Sequence, residues 1–368
     1  MAYTTIDDSS AHFHIQLYTG TGSLNSVTNN AHAGDFKPDW IQIKNRSLAW
    51  SNIVFDSSRG TNKALYTPAN DGDVTSNARG YLSAFNTDGF TVGAGSAGSD
   101  SVNENGNNYV AWQWKANGGT TASNGNGSIT STVQANTTAG FSIVLYTGNE
   151  TSGATVGHGL SGAPDVVIGK RREGTGYWII SSNNLDTNGT TGGSPDAPRN
   201  MYFNTQDAGQ SDKIVRAINA TTFEISNSNS MNANTDAMVA YCFKAIKGFS
   251  HFGHYRGNGN ADGKFTYTGF KPAWVMIKKS SGTGNWYIYD TERNGSSGSN
   301  TNQAHRIVYA NDTSGEVDNS DRGIDMISNG FKARNTLDNV NLSGDEYFYM
   351  AFATHPFVSS AGIPVTAR

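Results

Sequence analysis

The sequence contains a single cysteine, Cys242, among 368 residues. One thiol cannot crosslink the chain to itself, so stability must come from packing or from subunit association. Charged residues make up only 15% of the chain, and the net charge is −4. Without an excess of lysine and arginine there is no basic surface to neutralise phosphates, and nucleic acid is not expected as a partner.

Long apolar runs are also missing. No stretch approaches the roughly 18 apolar residues that a membrane-spanning helix needs, so we expect no membrane insertion. The first residues, MAYTTIDDSSAHFHIQLYTG, lack the cationic and apolar regions of a secretory signal peptide, and none is predicted.

Strong helix formers are scarce, whereas glycine is abundant, with 43 residues. Gly, Asn and Ser favour turns, while Thr, Val, Ile and the aromatic residues suit pleated, half-buried surfaces. This composition predicts an all-β protein with many loops. The length suits two or three domains better than one core.

One pattern, a proline followed by an apolar strand and a basic exit, occurs three times, as DFKPDWIQIKNR at 35–46, GAPDVVIGKRR at 162–172 and GFKPAWVMIKKS at 269–280. It belongs to a set of five landmarks that keep one order in all three copies. The other four are centred on Tyr18, Tyr146 and Tyr255; on Trp50, Trp178 and Trp286; on Phe90, Phe223 and Phe331; and on Ala111, Ala240 and Ala351. A fixed order of landmarks identifies a repeated building block.

The repeat predicts three tandem antiparallel β-sandwich domains of jelly-roll-like type, at 1–117, 118–248 and 249–368. Each has the normal size of one domain. The glycine-rich stretch that follows Ala116 is predicted to be a flexible linker. The strand order stays open at this stage.

Alternation along the proline-led strand predicts which side chains face the core. Ile41 and Ile43 lie on one face of the first copy, and Val275 and Ile277 on the same face of the third. The opposite face carries Trp40 and Trp274. Two interpretations of these tryptophans are open, namely stacking on sugars at the surface and filling of domain interfaces.

An aspartate and an arginine recur three residues apart, as Asp56 with Arg59 and Asp290 with Arg293. The pair could hold a sugar or a partner carboxylate, because arginine offers a planar fork of donors. The favoured interpretation is an ion pair that clamps the loop at a strand exit. The middle copy carries Ser182 and Asn183 there instead. With Trp40 and Trp274, these four residues complete the candidate surface and ligand contacts.

Catalytic, metal and cofactor signals are weak. GAGSAG at 93–98 matches a dinucleotide-binding glycine pattern, but polar residues and a strand follow it where a helix is required, so a loop is predicted. NDGDVTSN at 70–77 offers calcium-type oxygens but favours a turn. Cys242 is predicted to be a small buried side chain. No catalytic residue, metal or cofactor is expected, although a carboxylate pair for glycoside cleavage stays open, since its spacing is a spatial property.

Several motifs together resemble a repeated domain of proteins encoded by marine bacteriophages, typically cyanophages and phages of other ocean bacteria. These motifs are YTTIDDSSAHF, LYTG, FKPDWIQIKNR, FDSSRG, TDGFTVG and NNYVAWQWKA. The resemblance covers nearly the whole chain. It implies a virion component of tail-fibre-like type, located in the extracellular particle after assembly in the host cytoplasm.

Three hypotheses of function follow. The first is a non-enzymatic virion structural protein, a tail-fibre or spike-type appendage that binds a host cell-surface glycan, contacts other virion proteins and forms a homo-oligomer. Tandem units favour such attachment because they multiply weak contacts. The second is a capsid decoration or cement protein. The third is a polysaccharide depolymerase that uses acids from the long loops.

Overall fold

A computed structural model of the protein describes residues 3–29, 36–97, 101–185, 199–210, 212–293 and 302–365. The chain is nearly all β, with antiparallel sheets and one short α-helix among these residues, which confirms the predicted fold class. We call the parts of the chain before 118, from 118 to 248 and from 249 onward units 1, 2 and 3. No strand crosses either boundary.

Unit 1 forms two sheets, and 3₁₀ turns occupy Ser9–Ala11 and Asn77–Arg79. Its strands are β1 (Phe13–Thr19), β2 (Asn25–Val27), β3 (Trp40–Asn45), β4 (Ile53–Asp56), β5 (Leu65–Tyr66), β6 (Tyr81–Phe85), β7 (Phe90–Gly93) and β8 (Asn108–Trp114). The larger sheet has the order β1-β8-β3-β4-β5, and the smaller has the order β2-β7-β6.

Unit 2 repeats this arrangement and adds two strands at one edge of its larger sheet and the helix α1 (Asn229–Asn232). Its strands are β9 (Ala122–Asn124), β10 (Ser131–Asn136), β11 (Phe141–Thr147), β12 (Ala154–Gly157), β13 (Val166–Arg171), β14 (Ile179–Ser182), β15 (Arg199–Tyr202), β16 (Val215–Ile218), β17 (Thr222–Ile225) and β18 (Ala237–Phe243). The larger sheet has the order β15-β14-β13-β18-β11-β10-β9, and the smaller has the order β12-β17-β16.

Unit 3 has a 3₁₀ turn at Ser320–Arg322. Its strands are β19 (Ser250–Arg256), β20 (Phe265–Tyr267), β21 (Phe270–Lys279), β22 (Trp286–Asp290), β23 (Gln303–Ala304), β24 (Arg306–Tyr309), β25 (Val317–Asp318), β26 (Ile324–Ile327), β27 (Gly330–Ala333) and β28 (Glu346–Pro356). The larger sheet has the order β19-β28-β21-β22-β24-β25, and the smaller has the order β20-β27-β26-β23.

Each unit encloses its own core between its two sheets. The isoleucines and valines predicted to face inward do so, since Ile41 and Ile43 lie in the unit 1 core, and Val275 and Ile277 lie in the unit 3 core. All four are fully buried. The alternation of the proline-led strand therefore predicted its inward face correctly.

The opposite faces of the three larger sheets meet in a further, shared core. At its centre the rings of Trp114, Phe243 and Phe352, one from each unit, lie 5.3 to 6.4 Å apart. Strand register places these three residues at equivalent positions, opposite the strands β3, β13 and β21. The units therefore surround a pseudo-threefold axis. Trp40 and Trp274 pack in this shared core, so they fill interfaces between units and are not surface contacts.

The stretch after Ala116, predicted to be a flexible linker, is built into the structure. It contains β9, which pairs with β10, and the Gly119 amide donates to Gln134 Oε1 at 2.7 Å. The prediction was wrong because backbone amides of a glycine-rich segment also bind buried polar side chains, which composition does not reveal.

Register also corrects one of the aligned landmarks. Tyr349, rather than Ala351, is the unit 3 counterpart of Ala111 and Ala240, because it pairs with Ile277 as Ala111 pairs with Ile43. A shift of two residues leaves every side chain on its original face. Ala351 accordingly still points into the unit 3 core, as expected.

No helix among the described ranges is long and apolar enough to cross a membrane.

Candidate functional site

The Asp–Arg pairs are buried ion pairs rather than surface contacts. Arg59 donates its backbone amide to Asp56 Oδ1 at 2.8 Å and its Nε to Oδ2, and Arg293 repeats both bonds to Asp290 at 2.9 and 2.5 Å. All four side chains are 0% exposed. They clamp the loop at a strand exit, and the ligand-contact interpretation of these four residues is wrong.

Each aspartate also binds an aromatic donor of a neighbouring unit. Tyr241 Oη of unit 2 donates to Asp56 Oδ2 at 2.7 Å, and Trp112 Nε1 of unit 1 donates to Asp290 Oδ2 at 2.9 Å. Burial raises the pKa of Tyr241 well above its usual value, so the phenol remains a donor. The Asp–Arg clamp thus also joins one unit to the next.

A second acid extends each clamp. Asp73 accepts from Arg59 Nη1 at 2.7 Å and from Arg172 of unit 2 at 2.9 Å. Glu316 likewise bridges Arg293 at 3.3 Å and Arg46 of unit 1 at 2.8 Å. Two interfaces therefore carry the same five-residue network of aspartate, arginine, outer acid, outer arginine and aromatic donor.

The third interface, between units 3 and 2, lacks the network as a whole. Register and the backbone bond from Gly209 N to Ser280 O identify the equivalent positions. They hold Ser182, Leu185, Gly209, Ser280 and Met350. Such joint loss has a physical reason, because a half-satisfied buried network costs more than an apolar contact. We conclude that the network stabilises the contact between neighbouring units.

Buried lysines join all three interfaces. Lys44, Lys170 and Lys278 occupy equivalent strand positions and are fully buried. Each donates its Nζ to a backbone carbonyl of the neighbouring unit, at Thr313, Asn70 and Gln206 respectively. Burial lowers the pKa of Lys44 and of Lys278 to about 7 and that of Lys170 to about 8.

A cavity on unit 1 has the chemistry of a ligand site. Its volume is about 370 Å³, and its lining includes aromatic, basic, acidic and hydroxyl side chains, namely Trp50, Tyr66, Asp71, Ser76, Arg79 and Ser101. The loops that follow β3 and β5 and the 3₁₀ turn at Asn77–Arg79 position most of them. We call this cavity the Trp50 pocket.

Trp50 is an addition peculiar to unit 1. The unit 2 counterpart of Trp50 is Gly176, because the Gly176 carbonyl accepts from Lys170 as the Trp50 carbonyl accepts from Lys44. Strand register identifies Gly284 as the counterpart in unit 3. A bulky ring where the other units carry glycine does not serve the common fold. We therefore assign Trp50 to the pocket rather than to the repeat.

The pocket combines a ring with groups that bind hydroxyls. The Arg79 guanidinium carbon lies 5.0 Å from the centre of the Trp50 ring, a cation–π contact that orients both side chains. Asp71 adds an acceptor at the rim. Ser101 is 1% exposed, and its Oγ has no hydrogen-bond partner among the described residues. A buried hydroxyl without a partner is costly unless a ligand or water binds it.

Of the remaining sequence motifs, NDGDVTSN contributes Asp71 and Ser76 to the Trp50 pocket. Gly93 ends β7 and Gly95 lies in a loop, whereas Gly98 lies outside the described residues. In NDGDVTSN, Asp73 is taken up by ion pairs. No group of three or more His, Cys, Asp or Glu side chains that could hold a metal occurs in the part of the chain that the structure describes. Cys242 is buried, as predicted, and burial raises its pKa to about 12.

Sequence reasoning missed the Trp50 pocket because it aligned Trp50 with Trp178 and Trp286. The true counterpart is Asn52, whose Nδ2 donates to the Tyr309 carbonyl of unit 3 at 2.8 Å, as the two tryptophans donate to carbonyls of their neighbours. Spacing could have revealed this. Trp286 lies four residues before Asp290, whereas Trp50 lies six before Asp56.

Together these features define an all-β protein in which three quasi-equivalent pairs of antiparallel sheets surround one shared core, with the Trp50 pocket on the first. The chain belongs to the family described as Domain of unknown function (DUF7483), whose match covers residues 8–356. The matched region begins in unit 1 and ends in unit 3, so the family domain comprises the whole three-unit body. No curated protein and no solved structure matches the chain.

Proposed function

We propose that the protein is a non-enzymatic structural component of a bacteriophage virion, a tail-fibre or spike-type appendage that binds a host cell-surface glycan through the Trp50 pocket. The observation that carries the proposal is the position of Trp50. A ring that the other units replace with glycine lies in a cavity with Arg79 and Ser101. Loops on a rigid β scaffold are a common place for recognition.

A glycan suits the pocket chemically. The carbon-bound hydrogens on one face of a sugar ring carry partial positive charge and are attracted to the negative face of an indole. Sugar hydroxyls both donate and accept, which matches the Asp71 carboxylate, the Arg79 guanidinium and the Ser101 hydroxyl. Capsid decoration needs only contacts to protein and gives such a pocket no role.

Binding is favoured over cleavage by the acids of the pocket. Its lining includes one carboxylate, Asp71. Most glycosidases use two, about 5 to 10 Å apart. Asp73, close by in sequence, is engaged by Arg59 and Arg172. The depolymerase hypothesis therefore has less support than the attachment hypothesis. Homo-oligomer formation and contact with other virion proteins remain predictions.

The test replaces Trp50 with the residue of the other units. Trp50→Gly should weaken binding to a panel of host-derived surface glycans at least tenfold, because the stacking face is lost. Tyr177→Ala, which removes an exposed ring outside the pocket, should bind like the natural protein. Thermal unfolding followed by circular dichroism verifies that both variants are folded. Equal binding by Trp50→Gly, or absence of the protein from purified particles by mass spectrometry, would refute the proposal.

A further inference from the structure

Two loops of unit 1 contribute to the lining of the Trp50 pocket. The first loop, residues 46–52, provides Trp50 and Ser51, and the second loop, residues 67–73, provides Ala69 and Asp71. Both lie between strands. Because a loop lacks the regular hydrogen bonds of a sheet, its position depends on contacts with the rest of the molecule.

Unit 3 holds the first loop. Lys44 Nζ donates to the Trp50 carbonyl of this loop and to the Thr313 carbonyl of unit 3, the latter at 2.9 Å. One ammonium group therefore ties the backbone of the pocket tryptophan to the neighbouring unit. At the end of the loop, Asn52 Nδ2 donates to the Tyr309 carbonyl of unit 3 at 2.8 Å. The first loop is thus bound to unit 3 at Trp50 and two residues beyond it.

Unit 2 holds the second loop at Asn70, which precedes the lining residue Asp71. The Asn70 carbonyl accepts from Lys170 Nζ at 2.6 Å and from the Gly176 amide at 2.9 Å. Its side-chain Oδ1 accepts from Asn204 Nδ2 at 2.6 Å. All three donors belong to unit 2, so the two loops of the pocket are bound by two different neighbours of unit 1.

The third lysine provides an internal comparison. Lys278 has the strand position of Lys44 and Lys170, and it donates to the Gln206 carbonyl of unit 2 and to the Gly282 carbonyl of its own unit, both at 3.3 Å. The described lining of the Trp50 pocket includes neither Gln206 nor Gly282. All three lysines stabilise an interface, whereas Lys44 and Lys170 in addition bind loops that line the pocket.

We propose that Lys44 and Lys170 are positioning residues of the Trp50 pocket, so that the pocket accepts its ligand only while unit 1 is held by both neighbours. Each lysine acts through a backbone carbonyl of one loop. A site whose competent arrangement is only partly populated binds its ligand more weakly in the same proportion. By linkage, the bound ligand stabilises the contacts between units. The ligand in this inference rests on the proposed function, whereas the positions of the two loops do not.

Binding of the full chain to the panel of host-derived glycans tests the coupling. Lys44→Met and Lys170→Met should each weaken binding by about fivefold or more, because one loop of the pocket loses its donor. Lys278→Met is the matched control, since it removes an equivalent bond at the third interface, and it should bind like the natural protein. Circular dichroism verifies that all three variants are folded. Binding that falls equally in all three variants, or in none of them, would overturn the proposal.

A spectroscopic measurement without ligand separates the positioning role from the proposed function. In protein labelled with fluorotryptophan, the Trp50 resonance is assigned by its absence from the spectrum of Trp50→Phe. Lys44→Met should shift or broaden this fluorine resonance, because the Trp50 carbonyl loses its donor. Lys278→Met should leave it unchanged. A Trp50 resonance that is the same in both variants and in the natural protein would contradict the role of Lys44.

Amide hydrogen exchange tests the second loop in the same way. Exchange in residues 67–73 should become faster in Lys170→Met and in Asn204→Asp. The latter removes the donor to Asn70 but keeps an acceptor for the Trp178 amide, so it disturbs the fold less. Unchanged exchange in both variants would overturn the role of unit 2. If the natural protein binds no glycan, the proposed function fails, and the fluorine spectra and exchange rates alone decide whether the lysines position the loops.

Discussion

At the scale of single residues, the buried Asp–Arg pairs are stabilised by hydrogen bonds and ion pairs from the groups around them. Arg59 donates to Asp56, to Asp73 and to the carbonyls of Val54 and Lys63. Burial alone would lower the pKa of Arg59, but the adjacent carboxylates raise it, so the guanidinium remains charged. Removing one member of such a set leaves the others without compensation.

Tyr241→Phe tests this dependence. It deletes one hydroxyl, which donates to the buried Asp56 carboxylate at 2.7 Å. We expect the free energy of unfolding, measured by urea denaturation, to fall by about 1.5 to 3 kcal/mol, the usual range for a hydrogen bond to a charged group. Tyr202→Phe, which removes a bond to Asp212 near the surface, should cost less than about 0.5 kcal/mol. Equal losses in the two variants would contradict the account.

At the scale of elements, the three units solve one packing problem in two ways. Units 1 and 3 have Ile43 and Ile277 on the proline-led strand, in cores that also contain the buried loop valines Val102 and Val340. Unit 2 has Gly169 in the strand, and Met231 of α1 fills the space. A Cβ built on Gly169 would lie 2.3 Å from the Met231 methyl carbon. The summed side-chain volume of the two positions is therefore similar in all three units, although the residues at both positions differ.

This compensation predicts a non-additive pair. Gly169→Ile alone should lower the free energy of unfolding by about 1 to 3 kcal/mol or more, because it overpacks the unit 2 core. Val102 is the unit 1 counterpart of Met231, because its carbonyl accepts from Tyr18 as that of Met231 accepts from Tyr146. Combining Gly169→Ile with Met231→Val should therefore recover at least half of that loss. Urea denaturation of both single variants and the double variant measures the coupling. Additive losses would mean that the two side chains do not share one space.

At the scale of the whole molecule, three heterologous interfaces close into a ring. Each unit contacts its two neighbours through two different surfaces. Three such contacts, related by a rotation of about a third of a turn, close the ring. The shared core lies at the centre, so the inner faces of all three larger sheets are buried only when the units are together. A flexible linker after Ala116, as predicted from composition, would leave the unit 1 face of this core in water.

The lysines at the three interfaces predict how stability depends on pH. An unfolded lysine has a pKa near 10.5, whereas burial lowers that of Lys278 to about 7. Between these values the unfolded chain binds more protons than the folded one, so the free energy of unfolding should rise with pH. Each lysine contributes at most about 1.4 kcal/mol per pH unit. Above about pH 10 the buried tyrosines, whose pKa values burial raises, reverse the trend.

Urea denaturation at pH values from about 7.5 to about 9.5 measures this slope, within the interval set by the lysine and tyrosine values. Lys278→Met should reduce the slope of the free energy of unfolding against pH, because one of the three titrating lysines is removed. The exposed Lys264→Met should not change it. A slope that is the same in all three proteins would show that Lys278 does not lose its proton in the folded state.

The features that could be predicted from the sequence are those that depend on residues close together along the chain. Ile41 and Ile43 faced the core as predicted because alternation is a property of one strand. The role of Trp40 was left open between surface and interface, since a large apolar ring suits both. The Trp50 pocket was missed because its members come from separate loops, and a local alignment of tryptophans placed Trp50 in the wrong role.

By itself the amino-acid sequence determined the all-β class, the threefold repetition and the inward face of the strands, because turn preference and period-two alternation act between near neighbours. Only the tertiary structure decided that the second face of each larger sheet is also buried, and that Asp56 takes its donor from Tyr241, 185 residues away. The physical reason is that a buried charge requires a partner in space. The repeated sequence indicates which strand faces are apolar, and the arrangement of the three units in a ring determines which of these faces contact one another.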